Sequence, residues 1–204
     1  MIAWWWVLLD TRRKVNQEEA EEGMKSLAQY IKKLPFEYAV SFSGLRGEPF
    51  FTLQKEISLQ IEVLESEYDK ARYMDKQGLR YRITKLKKEI DIFDARIITL
   101  DGTLHKSAQA IHRFDKRSKE LKTIVKILKT KCKEQWITLC IPEYRDAIAF
   151  YSKEGKIIDI LHICFGCISI INEYGDVFEV DQSVFPKLYT ELKQVGHEIQ
   201  DTFH

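Results

Sequence analysis

Breakers are scarce in this chain. Only 4 prolines and 9 glycines punctuate 204 residues, so long uninterrupted elements are expected. An excess of one charge is also missing. The 32 Lys+Arg stand against 31 Asp+Glu, a net charge of +1. That balance excludes a chain drawn as a whole to nucleic acid or to an anionic membrane. The N-terminal apolar run, Ile2 to Leu9, falls well short of the roughly 20 residues that a membrane-spanning helix needs. No basic segment precedes it and no small-residue cleavage site follows, so a signal peptide is not expected and the reading is cytoplasmic. There is no Gly-rich phosphate loop, no nucleotide motif and no Ser-His-Asp spacing. Nothing in the sequence therefore names a small-molecule substrate or a reaction.

What is present is enough for a real core, at 45% hydrophobic and 12% aromatic. Three blocks follow one another. The first, residues 1–51, opens on the triplet Trp4, Trp5 and Trp6, followed by Arg12, Arg13 and Lys14. Such a cluster suits either a buried or partner-covered start or a contact with a membrane interface. An amphipathic helix is predicted over "NQEEAEEGMKSLAQYIKKL", acidic in its first turn and closed by Lys32 and Lys33, which suits the helix dipole. Tyr38, Val40 and Phe42 alternate as a strand does.

The second block, residues 52–131, carries the strongest periodicity. Ile57, Ile61, Leu64, Tyr68 and Ala71 are spaced four, three, four and three. The seam fails at Asp75 and Gly78 and restarts one residue out of phase. Leu79, Ile83, Leu86, Ile90, Phe93, Ile97, Leu100 and Leu104 then keep the alternation, which runs on through Ile111, Phe114, Leu121 and Leu128. A repeat of 3.5 residues is the pattern of a coiled coil. Breaks at "MDKQG" and "LDGT" allow an antiparallel hairpin instead, with helices folded back at least once. The unbroken phase through Gly102 argues against a turn there. Either form leaves apolar faces for self-association or a protein partner. The run from His112 to Lys133 is locally basic, but its charges lie off the seam and read as a solvated helix face rather than a nucleic-acid surface.

The third block, residues 132–204, reads as an antiparallel β-meander with a closing helix. Strands are expected at "QWITLC", "DAIAFY", "IIDILHICF" and "VFEV", with turns at "SKEGK" and "NEYGD". The helix "DQSVFPKLYTELKQVG" places Phe185, Leu188, Leu192 and Val195 at helical spacing and stops at Gly196. The fold class is α+β. The third strand is apolar on both faces, so cover is expected on both.

The chemistry concentrates in Cys140, His162, Cys164 and Cys167. In a flat strand Cys164 and Cys167 point to opposite faces. A bulge or bend at Gly166 turns both to one side. Four readings stand: zinc held by the three thiols and His162, a redox pair, a structural disulfide from Cys140 to Cys164 or Cys167, or buried thiols acting as small hydrophobes. His105 and His112 sit one heptad apart with no carboxylate cluster to complete a metal site. His197 reads as a helix-end cation or a contact with the sheet.

The stretch "CIPEYRDAIAFYSKEGKIIDILHICFGC", Cys140 to Cys167, with "LKQVGHEI" near the end, resembles an uncharacterised bacterial protein family frequent in the Bacteroidetes. The shared features are a Cys-x-Pro start, an Ile-x-Phe-Tyr strand, a Gly-Lys turn and Ile-Cys-Phe-x-Cys. The resemblance covers roughly the last third of the chain. It implies a fold module and brings no activity with it.

Overall fold

The run "DAIAFY" is short, apolar and β-branched or aromatic at alternate positions, and it forms the central strand of a sheet. In the computed structural model, residues 24–90, 96–135 and 140–199 are described. In order these form β1 (Lys25–Ser26), α1 (Leu27–Lys33), β2 (Tyr38–Gly44), α2 (Gly47–Lys70) and α3 (Tyr73–Ile90). Then come β3 (Ala108–Asp115), α4 (Lys119–Leu128), β4 (Asp146–Tyr151), β5 (Ile157–Cys164), β6 (Ser169–Asn172), β7 (Phe178–Glu179) and α5 (Val184–Gln194). Five strands make one antiparallel sheet in the order β3-β2-β4-β5-β6. β1 and β7 pair in parallel as a separate two-residue ladder.

The sheet is covered on both faces, as the doubly apolar β5 requires. On one side Ala39, Phe114, Ile148, Phe150, Leu161 and Ile163 pack against α1, α4 and α5. The amphipathic α4 and α5 supply Leu121, Ile124, Leu128, Phe185, Leu188 and Leu192. On the other side Phe42, Ala147, Ala149 and Ile160 meet Ile97, Ile98 and Leu100 from the loop before β3. Burying each such large side chain is worth roughly 1.5–3 kcal/mol, so this body holds most of the stability. At the start of α5, Asp181 accepts the N–H groups of Lys133 at 2.9 Å and Ser183 at 3.1 Å. The Ser183 hydroxyl first, and then these backbone bonds, hold its carboxyl down to about 2.

The heptad seam divides into three fates. Ile57, Ile61 and Leu64 of α2 pack against Ile83 of α3, with Leu79, Leu86 and Ile90 beside them. This is a helical hairpin, folded back at Ala71 and Arg72 rather than at "MDKQG", which lies inside α3. Lys76 lies over the Tyr68 ring near the turn and Lys87 reaches Glu65 farther away, so the helices run antiparallel. Phe93 is outside the described residues. Ile97 and Leu100 join the sheet core instead, and Leu104 is exposed in a bridge to Ile98. The long coiled coil expected through Leu128 does not form. Gly102, at φ +84°, sits in a tight turn closed by the Thr103 carbonyl and the Thr99 N–H. Ile111 and Phe114 belong to β3. Ile111 is the extra residue of a β-bulge opposite Ser41 and Phe42, and only Phe114 is fully buried. Tertiary pairing with β2 overrode a periodicity that counted apolar residues without testing what each would bury.

The meander is β4-β5-β6, with the "SKEGK" turn where predicted. The predicted "VFEV" strand leaves the meander as β7, and Ser169–Asn172 takes the third place. Residues 136–139 of "QWITLC" are outside the described residues, and Cys140 lies in a bend. Strands from all three sequence blocks share the one sheet.

Candidate functional site

Antiparallel pairing brings the end of β2, the start of β4 and the end of β5 side by side, with Ser43 opposite Asp146 and Asp146 opposite Ile163. A cleft of about 360 Å³ opens there. Its lining includes Arg46, Arg145, Asp146, Cys140, Cys164 and Cys167.

Asp146 heads an apolar strand and is 1% exposed, so its charge needs partners. It has three. Arg46 donates to Oδ2, the Ser43 hydroxyl donates to Oδ1 at 3.1 Å, and His197 Nδ1 lies 2.8 Å from Oδ1. Arg46 also donates to the Ser43 hydroxyl at 2.8 Å and to the Gly44 carbonyl at 3.2 Å. His197 is thus the sheet contact, fixed by a carboxylate on one ring nitrogen. Its Nε2 is buried without a hydrogen-bond partner among the described residues. A carboxylate–imidazole pair is half of an acid–base relay. The nucleophile that would complete one is missing from Nε2 among those residues. Arg145 is held by Glu143 at 2.8 Å and stacks over Phe50 with its guanidinium 4.8 Å from the ring centre. The charges of the cleft are therefore largely neutralised within the protein.

The cysteines meet at the same end. Cys140 and Cys167 form a disulfide with their Cα atoms 5.9 Å apart, a normal span for such a bond. Cys164 is a buried thiol beside them. The turn that turns both cysteines of the motif to one side runs from Phe165 to Ile168. Its left-handed residue is Ile168, at φ +51°, and not Gly166. A β-branched residue there costs on the order of 1–3 kcal/mol. The Cys167 N–H donates to Cys164 Sγ at 3.3 Å. Burial pushes the Cys164 thiol up, while N–H groups of Cys167, Glu143 and Gly166 pull it down by less.

His162 does not join the sulfurs. Its Nε2 lies 2.9 Å from Glu173, which also pairs with Arg96 at 3.3 Å, and burial lowers its pKa. The four-ligand zinc set is therefore not assembled: two sulfurs are bonded to each other and the imidazole is engaged elsewhere. Among the described residues no group of three or more His, Cys, Asp or Glu is placed to hold a metal. His105 sits 2.7 Å from the Ser107 hydroxyl, and His112 edges onto Phe114 within β3. Trp4, Trp5 and Trp6 lie outside the described residues. No helix among the described residues is long and apolar enough to cross a membrane.

The second feature is the hairpin of α2 and α3. It projects from the body with a small core of its own. Leu59 and Val63, four apart on α2, are 53% and 59% exposed. Met74 and Tyr81, seven apart on α3, are 85% and 71% exposed. By helical spacing each pair lies opposite its own helix's seam, so the two pairs occupy opposite outer edges of the arm. The charges separate as well. α2 holds Glu48, Glu56, Glu62, Glu65, Glu67 and Asp69 against Lys55 and Lys70, a net −4. α3 holds Lys76, Arg80, Arg82, Lys85, Lys87 and Lys88 against Asp75 and Glu89, a net +4.

In comparison with known proteins, no family model, no curated protein and no solved structure matches this chain. Sequence reasoning missed Arg46, Asp146 and the pairing of His197. One signal was available: Asp146 is an isolated acid at the head of a strand apolar enough to be central, and such a charge demands a cation close by.

Proposed function

We propose that this protein is a non-catalytic assembly protein whose α2–α3 arm binds a second copy of the chain. One observation carries the reading. The acidic edge of the arm, with Leu59 and Val63 flanked by Glu56 and Glu62, complements the basic edge, with Met74 and Tyr81 flanked by Lys85 and Lys88. A hairpin of two helices buries only the seam between them, and helical bundles gain stability by adding further helices around it. Apolar side chains left outside, rimmed by charge of one sign on each edge, supply both burial and specificity for such an addition. Because the edges face opposite ways, joining acidic to basic is heterologous. It closes into a ring or extends, rather than pairing like with like.

Charge reversal tests this. Glu56→Lys with Glu62→Lys reverses the charges that flank Leu59 and Val63, and Lys85→Glu with Lys88→Glu reverses those on the Tyr81 edge. Each double variant alone is expected to sediment as a monomer. Their mixture is expected to recover the association of the unaltered chain. Association of either variant alone at the unaltered strength overturns the reading, because the charged edges would then not be the contact.

A further inference from the structure

The cysteine cleft is independent of the arm and points to chemistry of its own. Three sulfurs converge where β5 ends: a disulfide joining Cys140 to Cys167 and the Cys164 thiol beside it. Cys164 is buried and Cys140 is exposed. The fourth cysteine, Cys132, lies apart near Glu179 and Asp181 and provides an internal control. Cys164 and Cys167 belong to one four-residue turn, and the Cys167 N–H already touches the Cys164 sulfur at 3.3 Å. A disulfide between them closes a small ring without moving a strand. Three backbone N–H groups surround Cys164, and these stabilise a sulfur anion when one forms.

We infer that the cleft is a thiol–disulfide exchange site, in which Cys164 displaces Cys140 from Cys167 and delivers a thiol to the rim. Cys164 first loses its proton to solvent. Its sulfur attacks Cys167 Sγ, the Cys164–Cys167 bond forms and the Cys140–Cys167 bond breaks. Cys140 departs as a thiolate and takes a proton from solvent. One disulfide and one thiol are present before and after, so no oxidant or reductant is consumed. The outcome is a reactive thiol moved from an enclosed position to an exposed one, where a thiol or disulfide of another molecule reaches it through the cleft. Burial of Cys164 makes the step slow, since the thiolate is the nucleophile. The neighbouring Glu143 carboxylate adds to that restraint, and the exchange therefore quickens as pH rises.

The test is disulfide mapping of the intact, non-reduced chain, held at pH 7 and at pH 9, quenched in acid, alkylated and digested. Two linkages are expected, Cys140–Cys167 and Cys164–Cys167, with label on both Cys164 and Cys140. Label on Cys140 should accumulate faster at pH 9, by about tenfold per pH unit below the thiol pKa. Cys164→Ser should hold Cys140–Cys167 as the one linkage in the cleft and abolish label on Cys140. Cys140→Ser, treated with oxidised glutathione as the oxidant, should carry a Cys164–Cys167 bond, which keeps the proposal testable if the first variant fails to fold. Cys140–Cys167 as the one cleft linkage after hours at pH 9, with no label on Cys140, overturns the inference. So does a chain with all three cleft cysteines labelled and no linkage, whether or not zinc accompanies it.

Discussion

In β4 every residue but the last is buried, whereas the 24 residues of α2 bury Phe50, Ile57, Ile61 and Leu64 and the 18 of α3 bury Ile83. The two regions are built on opposite terms. The sheet body is packed on both faces by three helices and a loop, so each side chain has neighbours from several elements. The arm has one seam and open edges. Its exposed backbone hydrogen bonds and few apolar contacts place it at the low end of local stability. The body is therefore a frame that can carry a buried charge cluster and a strained turn. The arm is the part with apolar surface still to cover.

Phe150→Ala removes a ring at the centre of the body and should cost about 3–5 kcal/mol of global stability in chemical denaturation. Asp146→Ala leaves the Arg46 guanidinium without its buried counter-charge, and a loss on the order of 3–5 kcal/mol is expected, at the lower end because Arg46 lies at the cleft. Ile61→Ala empties part of the arm's seam. About 2 kcal/mol is expected, read as faster amide exchange confined to α2 and α3 with the global transition little changed. A matching loss of protection in β4 and β5 would show that arm and body are one cooperative unit. Smallest is the pH effect of Asp181. Its folded pKa of about 2 lies below the ordinary 3.8, so its contribution is present above about pH 4 and is lost as pH falls through 2. Asp181→Asn should flatten the stability profile in that window, and a profile unchanged by the substitution would remove the carboxylate from the account.

Much of the body was legible. "DAIAFY", "IIDILHIC" and the closing helix each carry a local pattern that agrees with what they bury, so period, turn residues and packing all point one way. Strand β3 was not legible, because "AQAIHRF" buries little beyond Phe114 and its pairing with β2 is decided at long range. Its few apolar residues fell by chance on the heptad phase. The hairpin was visible as one of two forms, and its turn was misplaced because the true link, Ala71–Arg72, has neither glycine nor proline. At the cleft, the convergence of Cys140 with Cys164 and Cys167 was read from a meander, but both cysteines of the motif stood open as the bonded partner, and nothing local singles out Cys167 or announces the left-handed Ile168 beside it. The Arg46–Asp146–His197 cluster joins three distant parts of the chain through the end of the sheet, and spacing carries no trace of it.

Sedimentation of the unaltered protein across a wide concentration range, in low and in high salt, reads whether the arm's outer edges bind another copy of the chain. A mass that climbs above the monomer with concentration and falls back as salt screens the charged edges is expected. A monomer at every concentration in low salt would contradict it.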